Sequence, residues 1–223
     1  MTRRFLPGLG AFLIAAGGLT AGSVGLMSGT ANAAACGTAV SAGSDCTMTG
    51  TVGLTAGDLT LTSPSSLSWA STLTGTDQNL VDTVAADQQY TVNDATGSGT
   101  GWHVQISAST FTNGAHTFPN TAGVFSTNGS VSSVTDTTAP TATCTGTCSL
   151  PTNTTTYPVE ITTDPNNPQP FIIYDTAANT GLGEVVIGGS TAANPVGWWV
   201  NVPASASAGS YTSTITMEII SGP

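Results

Sequence analysis

The run Tyr211-Thr-Ser-Thr-Ile-Thr-Met-Glu-Ile219 alternates apolar and polar side chains at every position but Ser213, which restricts it to an extended chain with two unlike faces. Tyr211, Ser213, Ile215, Met217 and Ile219 share one face, and Thr212, Thr214, Thr216 and Glu218 share the other. Two further runs repeat the pattern. Trp102 to Ser107 sets Trp102, Val104 and Ile106 against His103, Gln105 and Ser107, and Trp198 to Val202 sets Trp198, Val200 and Val202 against Trp199 and Asn201. Weaker strands are expected around Val52 to Leu61, Leu67 to Leu73, Gln89 to Val92, Phe171 to Tyr174 and Val185 to Ile187. Thr and Ser abound, and no segment carries apolar residues at helical i, i+3, i+4 spacing. The chain therefore reads as all-β: one antiparallel β-sandwich over residues 34–223, immunoglobulin-like or of a related Greek-key type. The stretch from Thr127 to Pro170, rich in Thr, Pro, Asn and Gly, is expected to form long loops decorating that sandwich. A linker between two domains is the alternative, but neither half alone holds a complete core.

Charge removes most function classes. The chain has 12 Asp and Glu against 2 Lys and Arg, a net charge of -10, and both cations, Arg3 and Arg4, stand at the start. Beyond Arg4 there is no cation to release counterions from a nucleic acid, clamp a phosphate or form a Schiff base. Hydrophobic residues at 39% still supply a core. His103 and His116 are too few and too isolated for a metal site, and His103 alternates outward between core positions. No G-x-S-x-G elbow or paired Asp-Thr-Gly appears, and Glu160, Glu184 and Glu218 are scattered. Asp164 and Asn166 make only half a calcium loop, because Asn167-Pro168 breaks the spacing. No enzyme activity, cofactor or metal is expected.

Residues 1–33 read as a secretory leader: Arg3-Arg4, an apolar glycine-rich run from Phe5 to Met27, and the small-x-small site Ala31-Asn32-Ala33. Pro7 and the glycines oppose a retained membrane helix, and the absence of Leu before Cys36 opposes acylation there. Removal of the leader leaves no cation and a charge of -12 (0 minus 12). General and twin-arginine export both remain open. Neither a sortase-type LPxTG signal nor a hydrophobic C-terminal tail is visible before Pro223, so non-covalent surface attachment is expected. Export into an oxidising compartment favours two disulfides among Cys36, Cys46, Cys144 and Cys148. Three connectivities are possible, and the two local pairs cost least to close.

The C-terminal run Tyr211-x-x-x-Ile215-Thr216-Met217-x-Ile219-x-x-x-Pro223 resembles the distal motif YxxxLTWxLxxxP of WxL-domain surface proteins of Gram-positive bacteria. Gly101-Trp102-His103-Val104 is similar to the first Trp-x-Leu motif, with Asp94-Ala-Thr-Gly-Ser-Gly-Thr100 in place of the family's glycine-rich lead-in. Leu73 to Gln78, Thr180 to Gly183, Val202 to Ala204 and Ala208 to Tyr211 also resemble it. Met217 stands where the family has its second Trp, and Val104 where it has Leu. The resemblance implies non-covalent attachment to the cell wall, in family terms to peptidoglycan, and association with other surface proteins.

Alternation places Trp102, Val104, Ile215, Met217 and Ile219 on core-facing sides, so the motifs read first as packing. Trp198 and Trp199 must point to opposite faces, which leaves Trp199 either an exposed platform or covered by a loop. Trp102, Trp199, Tyr211 and Met217 are the candidate ligand-binding residues, with a wall glycan or another surface protein as partner.

Overall fold

The computed structural model describes residues 34–37, 39–121, 124–128 and 134–223. The expected leader lies outside the described residues. The chain divides into two compact units, Met1–Gly53 and Leu54–Pro223. In the first, β1 (Ala34–Ala35) pairs in parallel with β2 (Cys46–Thr47), and the Cys36–Cys46 disulfide closes the turn between them.

The second unit is an assembly of short antiparallel strands: β3 (Leu59–Thr62), β4 (Gln78–Val81), β5 (Gln89–Asp94), β6 (Trp102–Ala108) and β7 (Val124–Asn128). They are followed by β8 (Ala142–Cys144), β9 (Val159–Ile161), β10 (Phe171–Asp175), β11 (Gly183–Gly188), β12 (Val196–Val202) and β13 (Ile215–Ser221). Three sheets result, ordered β3-β5-β11-β8, β10-β6-β13 and β4-β12-β7-β9. Strand β13 runs beside β3, and β10 beside β9, so the three-stranded sheet bridges the other two. The antiparallel sheets pack against one another around a single core, the sandwich-like arrangement that the alternation called for.

Strand β6 shows how the pattern becomes packing. Trp102, Val104, Ile106 and Ala108 are buried, while His103, Gln105 and Ser107 are half-buried on the other side. Val92, Val185, Ile187, Trp198 and Val200 meet them in the core. Several expectations change. Only Leu59–Thr62 of the Val52 to Leu61 run forms a strand, and Leu67 to Leu73 forms none. The Ser68 amide instead donates to Asp82 Oδ2 at 2.7 Å, which holds this segment as a loop. The stretch from Thr127 to Pro170 holds β8, β9 and the end of β7 as well as loops. The local disulfide Cys144–Cys148 forms at the end of β8. Strand β13 begins at Ile215 rather than Tyr211, because Ser109 Oγ takes the Thr214 amide at 2.8 Å and Ser213 Oγ bonds the Ser109 carbonyl.

Candidate functional site

The two halves of the motif pair meet as neighbouring antiparallel strands, with Ile219 opposite Val104, Met217 opposite Ile106 and Ser221 opposite Trp102. Met217 and Ser221 are four positions apart, so Met217 and Trp102 lie about 13 Å apart along the strand direction at the usual rise per residue. They cannot share one small site.

Trp102 belongs to the core. It is 0% exposed, stacks on Tyr174 with centroids 5.8 Å apart, and donates its indole N–H to the Gly181 carbonyl at 2.9 Å. Buried Thr176 clips its backbone, accepting from the Trp102 amide at 2.8 Å and donating to the Trp102 carbonyl at 2.8 Å. Gly181 has φ +73°, and a Cβ there would stand 2.7 Å from the indole nitrogen, so the Thr180 to Gly183 motif is shaped by this ring. At the same end of the strand pair, Thr100 and Ser221 hydroxyls meet at 3.0 Å, and His103 Nδ1 lies 2.7 Å from the Gly222 carbonyl.

Trp199 is also buried, 4% exposed, which overturns its reading as an exposed platform. Strand β12 is interior, flanked by β4 and β7, and both of its faces are covered from Val196 to Val200. Of the two alternatives left open for Trp199, exposed or covered, the covered one is observed.

Tyr211 and Met217 lie elsewhere, on a groove of about 550 Å³ between residues 63–69 and residues 210–217. Trp69 and Phe111 line it with them. A second groove of about 810 Å³ shares Trp69, Phe111 and Tyr211 and adds Leu73, Leu80, Phe118 and Val202. A third, of about 330 Å³, continues past Tyr211 and Phe118 to His116. The four rings form a row. Trp69 meets Phe111 edge-on at 5.9 Å, Phe111 lies 5.9 Å from Phe118, and Phe118 stacks on Tyr211 at 4.2 Å. Phe111 and Phe118 are buried, so Trp69 and Tyr211, both half-buried, offer ring surface to the grooves.

Each ring is held in place. The Trp69 indole N–H donates to the Trp198 carbonyl at 3.1 Å, and the Tyr211 hydroxyl donates to the Ser207 carbonyl at 3.2 Å. Buried Asp82 anchors the Trp69 loop through the Ser68 amide, and its other carboxylate oxygen accepts from the Val84 amide at 2.8 Å. Burial and then the neighbouring Asp82 carboxylate raise the Asp87 carboxyl above its ordinary range. Hydroxyls dominate the banks of the first groove: Ser65, Ser66 and Ser68 on one side and Ser210, Thr212 and Thr214 on the other. Such a surface supplies flat apolar faces plus neutral donors and acceptors, and no nucleophile paired with a base.

Sequence reading missed Trp69, Phe111 and Phe118. Asn113-Gly114 is a hairpin signal between the two phenylalanines, and the bridge Thr112 to Thr117 shows that it brings them together. Among the described residues, no group of three or more His, Cys, Asp or Glu is placed to hold a metal, and no helix is long and apolar enough to cross a membrane.

A family model for the WxL domain, surface cell wall-binding, matches residues 45–223. The chain belongs to the WxL family. No curated protein and no solved structure matches it. Membership implies a surface location at the cell wall. In this WxL chain the first-motif tryptophan is core, whereas the distal motif runs from the groove-lining Tyr211 and Met217 into the sheet.

Proposed function

We propose that this chain is exported by the leader of residues 1–33 and attaches non-covalently to the peptidoglycan of the cell wall, without catalytic turnover. The observation that carries the reading is the row of Trp69, Phe111, Phe118 and Tyr211 opening onto hydroxyl-lined grooves. Half-exposed rings favour the C–H faces of sugar rings, and serine and threonine hydroxyls satisfy sugar hydroxyls. The test is co-sedimentation of the oxidised protein with isolated peptidoglycan sacculi. Retention is expected to hold between about 50 and 500 mM NaCl, because no Lys or Arg beyond Arg4 can make an ionic contact. Protein left in the supernatant at every salt concentration would reject the reading.

One feature favours a second reading, docking to another surface protein. Met48 and Val52 stand among threonine and glycine in the first unit and are 81% and 82% exposed. An extended, uncharged segment with one apolar face suits addition to a sheet edge of a partner. Retention of the protein on sacculi only when such a partner is present would support it.

A further inference from the structure

Resting on the wall-attachment reading, we infer that the grooves take an uncharged stretch of pyranose chain and disfavour sugar residues that themselves carry a carboxylate or phosphate. The argument starts from where the charges are. The chain carries 12 carboxylates, yet none lines any of the three grooves around Tyr211. The carboxylates of Asp82, Asp94 and Asp164 are occupied instead by backbone amides, those of Val84, Thr96 and Asn166 among them. Among the described residues, His116, at the rim of the third groove, is the one ionisable side chain other than Tyr211 on these walls.

The groove is thus a neutral patch on a strongly anionic protein, and the field around it opposes an approaching polyanion at low salt. Inside, an anion would lose water and meet hydroxyls and apolar side chains, with His116 only at the rim of the third groove, for no Lys or Arg stands anywhere beyond Arg4. Neutral sugar rings carry no such penalty and gain contact with Trp69 and Tyr211. The sugar backbone of peptidoglycan and a neutral accessory wall polysaccharide share this chemistry.

The test uses three soluble hexasaccharides with the oxidised protein: an N-acetylglucosamine hexamer, a galacturonate hexamer and a fully deacetylated glucosamine hexamer. The neutral hexamer is expected to bind with the same affinity across the salt range, and the anionic one at least about tenfold more weakly at low salt. The cationic hexamer serves as a control for bulk attraction, and its binding is expected to fall as salt rises. Trp69→Ala and Tyr211→Ala are each expected to weaken neutral-hexamer binding by roughly tenfold or more, and Trp69→Phe covers the case in which the alanine variant fails to fold. Equal or tighter binding of the galacturonate hexamer overturns the inference, as does neutral binding indifferent to both ring substitutions. Sacculi are pelleted in parallel. Retention on sacculi without affinity for the neutral hexamer overturns the ligand assignment and leaves wall attachment standing; loss of both overturns wall attachment itself. Sacculi stripped of accessory polysaccharide separate the two sources: retention on them assigns the peptidoglycan backbone, and retention only before stripping assigns the accessory polymer.

Discussion

Trp102 and Trp69 make the same bond, an indole N–H donated to a backbone carbonyl, and serve opposite ends. Trp102 sits on a strand with its ring sealed against Tyr174 and Gly181. Trp69 sits on a loop held by Asp82, half-buried, with one edge against Phe111 and its remaining surface on two grooves. The family's signature tryptophan therefore builds the fold, while a tryptophan outside the signature meets the solvent. A short motif marks what the sheet needs, and the groove surface is assembled from segments far apart in sequence.

Three substitutions sharpen the contrast. The largest effect is expected for Trp102→Ala, which removes a fully buried aromatic and should cost about 3–5 kcal/mol, read as a large fall in Tm. Its sacculus retention should fail only as the fold fails. Full stability with lost retention would move the binding site to the first motif. Met217→Trp comes next, because Met217 is half-buried on the wall of the first groove rather than sealed in the core. The overpacking cost should sit near the lower end, about 1 kcal/mol, and the larger face should strengthen retention. Lower Tm with unchanged retention would return Met217 to a packing role. The smallest effect is expected for Asp87→Asn. The folded-state pKa of Asp87 lies above its ordinary 3.8, so the stability it contributes is present below that value and lost as pH rises through the folded pKa. The asparagine cannot ionise, and the Asp87 carbonyl still accepts from the Trp198 indole at 2.7 Å. Thermal scans should show Tm raised at pH 7 and unchanged at pH 3; the reverse ordering would contradict the assignment. Asp164 acts in the opposite sense, since the Asn166 and Asn167 amides hold its pKa low and its contribution fades in acid.

Much of the sheet was legible because its long strands other than β12 have one face more buried than the other. Strands β5, β6, β11 and β12 follow directly from alternation. Strands β8 and β9 have three residues each, too few for a period of two to register, and β4 opens with two polar residues, Gln78 and Asn79. The choice between an exposed and a covered Trp199 was not legible for a different reason, since whether a strand is interior depends on partners distant in the chain. The groove was half legible. Tyr211 and Met217 stood out by motif, but Trp69 joins them only because Asp82, 14 positions from Ser68, pins its loop. The local disulfides were the least costly closure, and both formed.

The central claim is that wall attachment resides in the Trp69–Tyr211 grooves and not in the buried first motif. Sacculus co-sedimentation of Tyr211→Ala beside the unaltered protein tests it most directly, with circular dichroism and Tm measured on the same samples. Retention reduced by roughly tenfold or more with the β spectrum intact is the expected result. Undiminished retention by a folded Tyr211→Ala protein would contradict the claim.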